Sequence, residues 1–76
     1  MDTAALRAFL AVAKTRSFSQ AAEQLHITQP AVSKRVAALE AELKTRLFDR
    51  VGKKVSLTET GNALLPRAQH NPRRNG

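Results

Sequence analysis

Residues 17–34 read Ser17-Phe18-Ser19-Gln20-Ala21-Ala22-Glu23-Gln24-Leu25-His26-Ile27-Thr28-Gln29-Pro30-Ala31-Val32-Ser33-Lys34, and the architecture hinges on them. Ala21, Ala22 and Leu25 share one face of a short helix. Ser17 and Ser19 each offer a hydroxyl cap, and Phe18 is placed to fold back as a hydrophobic staple. Leu25-His26-Ile27-Thr28 leaves room only for a tight turn. Thr28 then caps a second helix whose first turn contains Pro30, harmless there because first-turn amides have no partner inside the helix. Val32, Val36, Leu39 and Leu43 recur at intervals of four, three and four and form one narrow apolar stripe.

On the N-terminal side, Leu6, Phe9, Leu10 and Ala13 fall at spacings of three and four, so Ala4 to about Lys14 is an amphipathic helix capped by Asp2 or Thr3. Three helices, the last two joined by a three- or four-residue turn, are the parts of a helix-turn-helix. On the C-terminal side the pattern changes. Leu47-Phe48-Asp49-Arg50 and Val55-Ser56-Leu57 flank Val51-Gly52-Lys53-Lys54, which reads as a two-stranded wing with a basic tip and a positive φ at Gly52. Thr58 and Glu59 supply the cap and first-turn acid of a further helix through Ala63, Leu64 and Leu65, with a kink expected at Pro66. From His70 onward no apolar periodicity is present, and a frayed tail is expected.

Composition narrows the function. The 76 residues carry 13 Lys plus Arg against 6 Asp plus Glu, a net +7 with histidine neutral. A chain of this length forms one domain with one small core, worth about 3–5 kcal/mol net. There is no cysteine, and two histidines cannot close a structural zinc site. No metal or cofactor is expected. The apolar stretch Phe9–Ala13 is far short of the roughly 20 residues of a membrane span, and the N-terminus lacks the basic region of a signal peptide. A cytoplasmic location is expected. Eight of the basic residues lie from Lys44 onward beside only Asp49 and Glu59, whereas the first 43 residues are nearly balanced. That layout suits a polyanionic partner.

The face of the third helix opposite its apolar stripe carries Pro30, Ser33, Lys34 and Ala37, with Gln29 at its edge. Gln can pair bidentately with adenine, Ser can give or accept one bond, and small residues permit close approach in a major groove. Lys34 can reach a phosphate or a guanine edge. Thr28 and the amides of the first turn favour a phosphate. Catalysis finds no support: there is no cysteine nucleophile, no glycine-rich phosphate loop and no histidine pair near a carboxylate. His26 in the turn suits a cap or a phosphate neighbour. A membrane-surface helix would line its basic residues along one face, and here they cluster in a loop and a tail.

In order and spacing, Leu6-x-x-Phe9, Ser17-Phe18-Ser19-x-Ala21-Ala22-x-x-Leu25, Gln29-Pro30-Ala31-Val32-Ser33, Leu39-Glu40-x-x-Leu43, Leu47-Phe48-x-Arg50 and Leu57-Thr58-x-x-Gly61 resemble the N-terminal DNA-binding domain of the LysR-type transcriptional regulators of bacteria. The resemblance runs from Leu6 to about Gln69. It implies a mainly α winged helix-turn-helix over residues 1–58, with the motif at about 18–37, followed over 59–76 by a truncated linker helix and basic tail. It implies base-edge or adjoining backbone contacts for Gln29, Pro30 and Ser33, and phosphate contacts for Ser17, Ser19 and Lys34. Lys53 occupies the wing-tip position where the family often carries arginine for the minor groove. Lys54 is expected on a phosphate beside it. Arg50, at the strand end, suits a phosphate or equally a bond to Glu40 or the backbone.

The expected partner is double-stranded DNA with a palindromic operator, half-site matching half-site. The linker helix has room for about twelve residues, some 18 Å at 1.5 Å per residue. Weak homodimerisation is therefore expected, with Ala63, Leu64 and Ala68 as the seam. The effector-sensing domain of the family is expected to be absent, and with it any small-molecule site, whether the chain is an excised fragment or a natural truncation. The alternative is an interaction module, or a fragment that pairs with full-length relatives and blocks them. One further departure is Lys44, where the family usually has glycine to take the left-handed turn that ends the third helix.

Overall fold

In the computed structural model, residues 2–52 and 54–69 are described. The chain runs α1 (Thr3–Thr15), α2 (Phe18–Leu25), α3 (Gln29–Leu43), β1 (Phe48–Val51), β2 (Lys54–Leu57) and α4 (Glu59–Gln69). This is the expected three-helix body with a two-stranded wing and a following helix. Each of the first three helices begins at a side-chain cap. Asp2 accepts the Ala4 N–H, Ser17 accepts the Gln20 N–H, and Thr28 accepts the Ala31 N–H. Of the two serines available to α2, Ser17 is therefore the cap. Phe18 does not act as a staple: it is the first residue of α2 and turns into the core.

All three helices also end alike, on a non-glycine residue in the left-handed region. Arg16, His26 and Lys44 share φ 59°. After α2 the His26 N–H bonds the Glu23 carbonyl and the Ile27 N–H bonds the Ala22 carbonyl. After α3 the Lys44 N–H bonds the Ala41 carbonyl and the Thr45 N–H bonds the Glu40 carbonyl. These paired bonds close the last carbonyls of each helix and turn the chain sharply. His26 is thus a cap, as the turn suggested, and the tight turn between α2 and α3 rests on it.

The core collects the inward faces of α1, α2 and α3, with α1 packed on α2, α3 and α4. Phe9, Val12, Val32, Leu39 and Leu47 are fully buried. Three aromatic rings join the helices to the wing. Phe48 lies 5.4 Å from Phe9 and meets Phe18 edge-on at 6.0 Å, measured between ring centroids. Val32, Val36 and Leu39 of the expected α3 stripe are buried, and Leu43 is half-buried against the same cluster.

The strands pair antiparallel, Phe48 with Leu57 through Val51 with Lys54, one residue further into the tip than the apolar pattern indicates. Gly52 turns the tip at φ 61°. Glu40 anchors the base of the wing. Its carboxylate accepts the N–H groups of Leu47 at 2.8 Å and Phe48 at 3.4 Å, with Arg46 Nε at 3.9 Å. Glu40, one of the partners left open for Arg50, therefore serves Leu47 and the first residue of β1 instead.

Helix α4 runs on past Pro66 as one element. Leu64 and Ala68 are buried in the core, while Ala63 is exposed. Two of the three residues expected to form a dimer seam are therefore used inside the molecule. Lys53 and the basic tail from His70 lie outside the described residues.

Candidate nucleic-acid interface

The first turn of α3 projects from the body with Thr28, Gln29 and Pro30 exposed. At about 100° per residue, Ser33 follows Gln29 on nearly the same face. Ser33 is half-buried, because it lines a hollow of about 340 Å³ between α3 and the wing, with Phe18, Ala37, Glu40 and Arg50 around it. Lys34 is exposed and borders neither this hollow nor the next. Pro30 contributes no N–H, so it closes the helix start without adding an unpaired donor.

A second hollow, of about 250 Å³, opens between the starts of α2 and α3 and the wing. Ser17, Ser19, Gln29, Arg50 and Lys54 line it, together with Arg16. Four residues singled out from sequence for phosphates and one, Gln29, for a base edge thus surround one space. Arg16 belongs with them and was not recognised in the sequence. Its only local signal was a positive charge beside Ser17, and its position depends on the left-handed turn that ends α1. The Arg16 Nε–H donates to the Ala13 carbonyl at 3.0 Å, which orients the guanidinium at the rim.

Arg50 crosses from the wing to the helices. Its guanidinium lies over the Phe18 ring, 3.9 Å from the centroid. Such stacking holds the flat cation while leaving its edge N–H groups free to meet an anion. Arg50 is thus seated on an aromatic ring, and the phosphate contact expected of it keeps the donors it needs.

The hydroxyls differ in what they have left to give. Ser17 and Thr28 accept backbone N–H bonds as caps, so each keeps its own proton for an outside acceptor. Ser19 instead donates to Gln29 Oε1 at 3.0 Å, across the gap between α2 and α3. The hollow is thus ringed by cations and the Ser17 hydroxyl, with the Ser19–Gln29 pair at its helical edge. Among the described residues no cluster of three or more His, Cys, Asp or Glu could hold a metal ion. No helix among them is long and apolar enough to cross a membrane.

Comparison with known proteins places this geometry in a family. Residues 3–62 match the model for bacterial regulatory helix-turn-helix proteins of the lysR family. An HTH-type transcriptional regulator from the ibpB–leuC intergenic region of Azotobacter vinelandii is 69% identical over 68 residues, covering 90% of this chain and 47% of the relative. The RuBisCO operon transcriptional regulator of Allochromatium vinosum is 55% identical over 60 residues, covering 79% of this chain and 20% of that protein. The chain therefore spans about half or less of the length of these relatives. Among solved structures, the CbnR DNA-binding domain in complex with DNA superposes with a TM-score of 0.87 at 36% identity. That match covers 92% of this chain and 80% of the other. The BenM DNA-binding domain with benA site 1 DNA gives the same TM-score and identity, covering 92% and 79%. Both curated relatives are described as transcriptional regulators, and they lend no support to a pairing module. A winged helix-turn-helix with a cation-lined hollow beside its third helix, matched by the family model over most of its length, belongs to the lysR family of bacterial regulatory helix-turn-helix proteins.

Proposed function

We propose that this chain binds double-stranded DNA sequence-specifically, as the DNA-reading part of a bacterial transcriptional regulator acting in the cytoplasm. The observation that carries the reading is the placement of the exposed first turn of α3 beside a hollow ringed by Arg16, Arg50 and Lys54. A base reader and phosphate holders then meet one duplex together. The likeness to domains solved on DNA supports the same reading.

In this reading α3 enters the major groove. Gln29 pairs with a base edge, Ser33 and Pro30 meet the neighbouring edges or backbone, and Ser19 sits at the rim with Gln29. Ser17, Thr28, Lys34, Arg50, Lys53 and Lys54 hold phosphates on either side, with Lys53 at the wing tip toward the minor groove. Residues 1–58 form the reading domain, and 59–76 carry the start of a linker helix and the basic tail. Two copies pair weakly through α4 on an interrupted palindrome, each copy reading one half-site. Because Leu64 and Ala68 are buried, the pairing would use exposed Ala63 and half-buried Leu65. That is little apolar surface, consistent with weak association.

Selection of bound duplexes from a random pool tests the function. An enriched palindrome is expected, and no enrichment would overturn the reading. Gln29→Ala is expected to cost roughly 1–3 kcal/mol on the enriched site and little on a scrambled duplex. Equal losses on both would show that Gln29 does not read bases.

A further inference from the structure

We infer that Ser19 is a positioning residue for Gln29: its hydroxyl sets the side-chain amide of the base-reading residue before DNA arrives. The inference rests on the DNA-reading proposal above and deepens it. Ser19 lies in the first turn of α2 and Gln29 opens α3, and the Ser19 Oγ–H donates to Gln29 Oε1 at 3.0 Å. Both residues are exposed, so burial does not force the contact. The left-handed cap at His26 does, because it folds the chain tightly enough to bring the two helix starts together.

The chemistry follows from counting donors and acceptors. A glutamine amide has a carbonyl oxygen with two lone pairs and an NH2 with two protons. The bond from Ser19 uses one lone pair and turns the NH2 away from α2. One lone pair and the NH2 remain, the acceptor and donor needed for the N6 and N7 edge of adenine. The bond also restrains a side chain with three rotatable torsions, removing part of the ordering cost from the binding step. The same count bears on the phosphate role that the family resemblance implies for Ser19. A serine hydroxyl has one proton, and phosphate oxygens only accept. While the proton is given to Gln29, Ser19 has none to offer a phosphate. Ser17 and Thr28, which accept from backbone N–H groups, keep theirs.

Two measurements on the full 76-residue chain test the inference. In the free protein, NMR relaxation of the Gln29 side-chain NH2 is expected to report a restrained amide. Ser19→Ala should release it, and Ser19→Thr, which keeps a hydroxyl, should retain it. An amide equally mobile in the parent and in Ser19→Ala would overturn the inference without any DNA present. In duplex selection, the base position whose preference disappears in Gln29→Ala marks where Gln29 reads. At that position Ser19→Ala is expected to reduce discrimination about threefold to tenfold, with Ser19→Thr restoring it and scrambled-duplex affinity little changed. Equal weakening on every sequence would assign Ser19 to a phosphate and overturn the positioning role. Failure of the parent chain to select any sequence is a separate outcome, and it would overturn the DNA-reading proposal itself along with the role built on it.

Discussion

Lys44 holds φ 59° and ψ 39° at the end of α3 with its side chain exposed. A residue with a Cβ costs about 1 kcal/mol there relative to glycine. Glycine also gains freedom in the unfolded chain, which offsets part of the relief. Lys44→Gly is therefore expected to stabilise by about 0.5 kcal/mol and to raise Tm by a few degrees. An unchanged or lower melting midpoint would show that the paired bonds to the α3 carbonyls already absorb the strain. Arg16 holds the same φ but differs in one respect: its Nε–H bonds the Ala13 carbonyl, so glycine there would lose a contact as well as a strain. The strain at Lys44 was legible because a motif position lacked its usual glycine. At Arg16 nothing local announced it, since a left-handed residue other than glycine leaves no mark in the order of side chains.

Between elements, the wing and α4 are tied by few atoms. The Thr58 hydroxyl donates to the Arg46 carbonyl at 2.7 Å and accepts the Gly61 N–H at 3.0 Å. The Thr58 N–H donates to the Leu47 carbonyl at 3.0 Å. Gly61 sits against that same carbonyl: a Cβ there would collide with the Leu47 oxygen and stand 2.8 Å from Leu57 Cδ2. Because the obstruction is backbone, the fit cannot be recovered by a rotamer change. Gly61→Ala is expected to cost about 1–3 kcal/mol, read as a lower urea midpoint at unchanged slope. An unmoved midpoint would mean that α4 can shift off the loop freely. The cap at Thr58 could be read from its place before Glu59. The closeness of Gly61 to Leu47 could not, because it depends on how α4 lies across the end of the wing. Burial of Leu64 and Ala68 has the same origin: periodicity shows an apolar face but not what covers it.

Across the molecule, charge and reading surface are arranged together. The near-neutral helical body presents α3, and Arg16, Arg50 and Lys54 stand around the hollow beside it. If these cations meet phosphates, affinity falls with salt at about 0.9 in log–log slope for each phosphate neutralised. Lys54→Ala is expected to weaken the enriched and scrambled duplexes alike and to lower that slope by about 1. A loss confined to the enriched duplex would place Lys54 on a base edge instead.

The order of helices, the cap of α3, the wing and the polar face of α3 were determined by sequence alone, because each depends on neighbours within a turn or two. The features that make the candidate site waited for the tertiary structure. Arg50 lies over Phe18, Arg16 joins the cation-lined hollow, and Ser19 reaches Gln29. Each pairing crosses between elements whose separation is set by helix ends turning through the left-handed region and by the aromatic cluster at Phe48. Local patterns specify which face a residue occupies. Only packing in three dimensions specifies what that face meets.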